Sequence, residues 1–184
     1  MAETHPYCAY VDTLDENNVH RHYHDHEYGF PIPSDDELFG RLLLEINQAG
    51  LSWTTILNKK DNFRKAYAGF KIDVVANFSE KDRERLLADA SIIRNRLKVN
   101  AAIHNAQVIR GLQQEHGSFT AWLDQHHPKS REAWVKLFKK TFKFTGGEIT
   151  NEFLMSSGYL PGSHSDTCPV MQRIKEENPP WMRA

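Results

Sequence analysis

The sequence lacks any apolar run approaching about 18 residues, so no membrane-spanning helix is expected. Residues 1–20 carry Asp12, Asp15 and Glu16 and no apolar stretch, which argues against a signal peptide there. Cysteine is nearly missing. Cys8 and Cys168 are the only two, too few for a disulfide scaffold. Without an export signal they point to a reducing cytoplasm, where Cys beside His more often means metal. Proline is absent between positions 34 and 127, and alternating apolar–polar runs are almost absent throughout, which removes the usual signature of sheets. There is no internal repeat and no low-complexity stretch. What remains is 184 residues, 40% hydrophobic and 26% charged, enough for one globular domain with a core of its own.

The net charge of −1 conceals an asymmetry. Residues 1–60 hold ten acids and four Lys/Arg, whereas 61–184 hold fourteen acids and nineteen Lys/Arg. A near-neutral total excludes coating nucleic acid by bulk charge but permits a local basic face.

Helix-start signals fill the proline-free region. Ser34-Asp-Asp-Glu37 reads as a capping box opening a helix to about Gly50. Ser52 caps a short helix through Leu57, and Asp61 caps Asn62–Ala68 with Gly69 as the stop. Ser79-Glu-Lys-Asp82 opens a helix ending near Ala90, and a longer one runs from about Asn95 to Gln114. Phe119–Asp124, Arg131–Phe142 and Glu148–Ser157 complete an all-α protein. Segments 1–33 and 158–184 read as irregular. Residues 1–170 form one helical domain and 171–184, with Pro179-Pro180, an extended C-terminal tail.

Within the helix after Ser34, at about 100° per residue, Leu38, Leu42 and Ala49 fall within about 40° of one another. Glu45 lies about 20° from Leu38, on the edge of that apolar stripe. A carboxylate there is costly unless something satisfies it. Its ordinary explanation is a core glutamate bonded to backbone or arginine, or one close enough to the helix end to reach water. The functional explanation is a pocket acid awaiting a cationic or donor-rich ligand. Gly50-Leu51-Ser52-Trp53 follows as a tight turn able to bring an indole beside it, and Tyr7, Tyr10, Tyr23 and Tyr28 lie upstream. Aromatic faces plus one acid suit a flat cation.

Two stretches lack acids altogether. Residues 90–114 carry Arg94, Arg96, Lys98 and Arg110 (bar Asp89 just before them), and residues 133–147 carry Lys136, Lys139, Lys140 and Lys143. Either run alone is ordinarily a solvated face. The first also joins two helical segments, about 80–88 and 95–113, by the turn Asp89–Arg94. Such a helix-hairpin-helix offers backbone N–H groups and cations to phosphates without reading sequence. Ser91 stands where these hairpins usually place glycine.

His164-Ser-Asp-Thr-Cys168 spaces two ligand types four apart, compatible with one ion. Cys8 with one of His20, His22, His24 or His26 would complete a shell of two cysteines and two histidines. Spacing does not choose among those four histidines. Four protein ligands leave no open position for water, so the ion would be structural. Unrelated buried cysteines and surface histidines are the plain alternative.

The segments Tyr23-His-Asp-His-Glu-Tyr-Gly29, Glu45-Ile-Asn-Gln-Ala-Gly-Leu-Ser-Trp53, Ile92-Ile-Arg-Asn-Arg-Leu-Lys98, Phe142-Lys-Phe144 and His164–Cys168 stand in the order found in the 3-methyladenine DNA glycosylase I family, which the chain resembles over about residues 5–170. The resemblance implies an all-helical helix-hairpin-helix fold in which a structural zinc joins the N- and C-terminal segments. It implies an enzyme that removes 3-methyladenine from alkylated double-stranded DNA by cleaving the N-glycosidic bond. Carried over by position, the zinc ligands are Cys8, His24, His164 and Cys168, which selects His24. Glu45 matches the base-pocket glutamate, Trp53 the stacking tryptophan and Tyr23 the pocket tyrosine. Tyr10 matches an aromatic position usually held by tryptophan, and Leu51 is the expected apolar wedge. Ser91, Arg94, Arg96 and Lys98 are the expected hairpin contacts to DNA. The chain departs from the family at His20 (usually tyrosine), Tyr28 (usually tryptophan), Ile46 and Asn47 (a Gly–aromatic pair) and Ser91 (glycine).

The implied protein works in the cytoplasm on nucleoid DNA as a monomer, without membrane or nucleotide cofactor. A glycosylase-fold module that binds alkylated DNA without efficient cleavage is the main rival, and a metal hydrolase a weaker one. No carboxylate stands out as a general base, with Asp124 and Asp89 eligible by type only.

Overall fold

The computed structural model describes residues 5–183, and among them every regular element is a helix. In chain order these are α1 (Pro6–Asp12), α2 (Val19–His26), α3 (Asp35–Gln48), α4 (Trp53–Ala66), α5 (Ile72–Val75), α6 (Glu80–Ala88), α7 (Arg96–His116), α8 (Phe119–His126), α9 (Arg131–Thr141), α10 (Gly147–Ser156) and α11 (Pro169–Glu176). Short 3₁₀ turns cover Ala68–Phe70 and Pro180–Met182. Among the described residues no helix is long and apolar enough to cross a membrane.

The core is organised around α3. Leu38 through Asn47 are buried at every position, so α3 is a central helix rather than a surface helix with one greasy stripe. It packs against α4, α7 and α10. Gly40 permits this closeness, because a Cβ there would stand 2.4 Å from the Phe70 ring. Asp35, in the first turn of α3, accepts from the backbone N–H groups of Phe119 (2.8 Å) and Thr120 (3.1 Å) and from Gln113 Nε2 (2.8 Å). One carboxylate thereby fixes the start of α3 to the start of α8.

The capping box at Ser34 is half formed. Ser34 Oγ accepts from the Glu37 N–H at 3.4 Å, but the Glu37 carboxylate receives two Arg64 N–H donors at 2.7 Å each. The two helices expected at Ser52 and Asp61 are one. Ser52 caps α4, and the polar residues from Asn58 to Asp61 are its outer face rather than a break.

The chain ends differ most from expectation. Segment 1–33 contains α1 and α2, and 158–184 contains α11. The extended tail expected over 171–184 is instead largely helical and docked: Val170, Met171 and Ile174 are buried with Phe30, Cys8 and Cys168, and Trp181 packs on them. The Trp181 N–H also donates to Gly158 O at 3.0 Å.

Helices α6 and α7 are joined by residues 89–95. Asp89 Oδ1 accepts from Ser91 N–H (2.9 Å) and Oγ–H (2.6 Å), and Ser91 O accepts from Lys59 Nζ (3.2 Å) and Asn62 Nδ2 (3.3 Å) of α4. No residue of the connection has positive φ, so serine in place of glycine costs no backbone strain.

Candidate active site and metal centre

The C-terminal half of α3 meets α1, α2, the start of α4 and α10 around an open pocket of about 580 Å³. Glu45, Trp53, Tyr23, Tyr7, Tyr28 and Glu152 are in its lining, together with Glu148, Gln48, Met155 and His5. Glu45 is only 5% exposed, and its carboxylate makes no hydrogen bond or ion pair with any described residue. Burial pushes its carboxyl up to about 8; the nearby Arg41 guanidinium pulls it down and Glu152 raises it further. Arg41 does not clamp it. That side chain donates to Ser156 O at 3.0 Å and to Glu27 Oε2 at 3.4 Å. Its guanidinium lies 5.1 Å from the Tyr23 ring centre.

The aromatic walls meet edge to face. The Tyr23 and Trp53 rings are 5.2 Å apart at 64°, and Tyr7 and Tyr28 are 5.5 Å apart at 90°. Trp53 occupies the first position of α4, placed there by the Ser52 cap, whose Oγ accepts from the Thr55 N–H at 3.2 Å. Tyr23 is buried on α2, one residue before a histidine of the metal cluster.

Tyr10 does not line the pocket. It is 46% exposed and packs on the Tyr7 and His20 rings from outside. Its place is taken by Tyr7, which sequence reading set only among the upstream aromatics. His20 is buried, with Nδ1 bonded to the Tyr7 hydroxyl at 3.0 Å and Nε2 to Thr54 Oγ1 at 2.7 Å, so it ties Tyr7 to α4. Ile46 and Asn47 face the core rather than the pocket. Asp124 accepts from the Tyr159 hydroxyl at 2.7 Å and Asp89 from Ser91, and neither lines the pocket.

Of the residues expected at DNA, Leu51 is 38% exposed in the α3–α4 turn, and Arg94 and Arg96 are exposed at the hairpin. Ser91 is half-buried, its hydroxyl spent on Asp89. Lys98 is the correction. It is buried, and its Nζ donates to Asn47 O (2.8 Å) and Ala49 O (2.7 Å), the free carbonyls at the end of α3. A lysine held there has no reach to a phosphate. It sets the Leu51 turn instead. Burial lowers its pKa.

Cys8, His24, His164 and Cys168 converge from α1, α2 and the segment before α11. All four are buried, and their ligand atoms lie within 4.8 Å of one another. His24 Nε2 and His164 Nδ1 are 3.1 Å apart; Cys168 Sγ is 3.6 Å from His164 Nδ1 and 3.8 Å from His24 Nε2, and Cys8 Sγ is 3.7 Å from His164 Nδ1. The remaining ring nitrogens are engaged, His24 Nδ1 with Asp25 Oδ1 at 2.7 Å and His164 Nε2 with Tyr28 O at 2.7 Å. Outer partners of this kind fix ring orientation at metal sites. The cluster can hold a metal ion.

The sequence profile of the methyladenine glycosylase family matches residues 13–133. The chain is 35% identical over 172 residues to DNA-3-methyladenine glycosylase 1 of Escherichia coli, covering 83% of this chain and 90% of that protein. A solved structure of 3-methyladenine DNA glycosylase I from Staphylococcus aureus, on the structural basis of 3-methyladenine recognition, is similar with a TM-score of 0.78 and 30% identity, over 91% of this chain and 97% of that one. A tyrosine-to-phenylalanine variant of a 3-methyladenine DNA glycosylase I in complex with 3-methyladenine has a TM-score of 0.80 and 30% identity, over 89% of this chain and 96% of that one.

Proposed function

The chain belongs to the methyladenine glycosylase family, and from that premise we propose that it turns 3-methyladenine out of alkylated duplex DNA into the Glu45 pocket and hydrolyses its N-glycosidic bond. The protein is a DNA-3-methyladenine glycosylase, a hydrolase of base-excision repair. The observation that carries the residue assignment is a buried, unpartnered carboxylate facing an aromatic-lined hollow.

The chemistry asks little of acid–base groups. Methylation at the 3-position makes the adenine a cation. As the glycosidic bond breaks, its electron pair returns to the ring and the base leaves neutral. Water adds to the anomeric carbon, its proton goes to solvent, and an abasic site remains. The pocket must therefore bind an everted cation. Eversion costs a few kcal/mol, least for a weakly paired damaged base. Stacking on Trp53 and Tyr23 returns roughly 1–3 kcal/mol per base. Glu45 accepts from the exocyclic amine and complements the positive charge, which disfavours ordinary adenine. Leu51 fills the gap left in the stack. Arg94 and Arg96, with the Ser91 turn and the N-terminus of α7, hold the backbone in a helix-hairpin-helix contact.

In this reading the four-ligand cluster holds a structural zinc. Bond lengths near 2.0 Å to nitrogen and 2.3 Å to sulfur give tetrahedral edges of about 3.3 Å between nitrogens and about 3.5 Å between nitrogen and sulfur. The nitrogen–nitrogen distance of 3.1 Å and the nitrogen–sulfur distances of 3.6–3.8 Å support that fit. A complete protein shell gives the ion no open position, so no step of the hydrolysis passes through it.

The deciding experiment follows free base released from a methylated duplex by chromatography. Release of 3-methyladenine with an abasic product is expected. Tight binding of the damaged duplex without release would leave only a recognition module.

A further inference from the structure

Three carboxylates line one cavity, from Glu45 on α3 and from Glu148 and Glu152 on α10, and no lysine or arginine is among the residues that line it. Glu152 is the unexpected member. It is half-buried, and it accepts a hydrogen bond from the Tyr28 hydroxyl at 3.4 Å. Tyr28 is itself buried and stands where the family usually has tryptophan, so the departure brings a hydroxyl that meets this acid. Burial and Glu148 push the Glu152 carboxyl above the usual carboxylate range, while the Tyr28 hydrogen bond and the Arg131 guanidinium draw it back.

A second acid beside a buried one without an ion-pair partner is a cost in the empty pocket, since Glu152 raises the Glu45 carboxyl; the nearby Arg41 offsets part of that, but no cation is among the residues that line the cavity. A bound positive charge reverses the sign, because both carboxylates are then attracted to the same guest. We propose that Glu152, held by Tyr28, is a specificity-determining residue that forms a second acidic wall of the base pocket and selects the everted base by its positive charge. This rests on the glycosylase reading above and extends it. Glu45 supplies one wall, and the Tyr28–Glu152 pair supplies discrimination between cationic and neutral bases of the same outline.

The test compares a charged and an uncharged guest of nearly equal shape. The charged guest is 3-methyladenine in methylated duplex, read as kcat/KM for base release. The uncharged guest is a duplex carrying 3-deaza-3-methyladenine, read as binding affinity. Glu152→Gln is expected to lower kcat/KM for release about tenfold while affinity for the neutral mimic stays within about twofold. Tyr28→Phe is expected to shift the same ratio in the same direction by less, about threefold. Glu152→Asp, which restores the charge, is expected to recover most of the lost preference. Equal losses for both guests would mean a merely structural role, and no change for either guest would mean none; either overturns the proposal. Asp behaving like Gln would overturn it as well. Wild-type protein that releases no base at all would instead remove the glycosylase reading, so the two failures are told apart.

Discussion

Glu45 costs the folded protein something, and the direction of that cost is measurable. Its carboxyl is pushed from the model-compound value of 4.5 up to about 8 by burial. A carboxyl with a raised folded pKa imposes no penalty below the unfolded value. The penalty grows as pH rises from 4.5 towards 8, because the native state holds a proton that the unfolded chain has released. Glu45→Gln is therefore expected to stabilise the fold at pH 8 by a few kcal/mol and to leave it unchanged at pH 4, read as Tm at the two pH values. The same substitution is expected to reduce base release on the order of 100-fold, the scale of losing one preorganised electrostatic contact. In the wild type, kcat/KM is expected to rise as pH approaches about 8, as the free pocket acquires its charge; the glutamine variant should lack that limb. A stable, inactive variant is the expected signature of a residue kept for chemistry at the expense of stability. Glu45 and Trp53 were legible in the sequence because one violates the helical stripe and the other follows a tight turn. Tyr7 was legible only as one of four upstream aromatics and Glu152 not at all, because nothing in the spacing of α1 and α10 announces that their side chains line the same pocket as Glu45.

Among the elements, legibility followed capping chemistry. The helices from α3 to α10 begin mostly at Ser or Asn caps, and those signals are local. The ends of the chain carry helices of only seven or eight residues, two turns each. Pro6 and Pro169 occupy first helical positions, where a missing N–H costs nothing. Helices α6 and α7 and the short connection between them were legible, but the role of Lys98 was not. Charge in a basic run says nothing of direction, and Lys98 points inwards to two carbonyls. Lys98→Ala is expected to lower stability by about 1–3 kcal/mol, the cost of leaving buried carbonyls without a donor. Denaturant unfolding checks it. Arg94→Ala and Arg96→Ala, both exposed, are expected instead to leave Tm unchanged, weaken duplex binding alike across sequences and lower the salt slope by about one each. A change confined to one sequence would remove them from the phosphate contact.

For the molecule as a whole, the four-ligand cluster links residues 8 and 24 to residues 164 and 168. Chelation, or Cys168→Ser, is expected to cost several kcal/mol and release the metal, measured by metal content and Tm together. Excision should fail along with it, since His24 follows Tyr23 directly and His164 holds the Tyr28 carbonyl. The ligand types were legible from composition. That α11 and Trp181 close over the cluster was not, because the apolar residues that do so act only against a surface made by Phe30 and the two cysteines.

The tyrosine wall precedes Glu45 in the chain, and His164 and Cys168 follow every residue that lines the pocket. A growing polypeptide on the ribosome therefore carries these tyrosines, held only by α4, before the two C-terminal ligands of the cluster exist. Translation must pass Cys168 before that wall is clasped to the rest. The nascent protein acquires its grip on a lesion late, in one closing event, rather than helix by helix as it emerges.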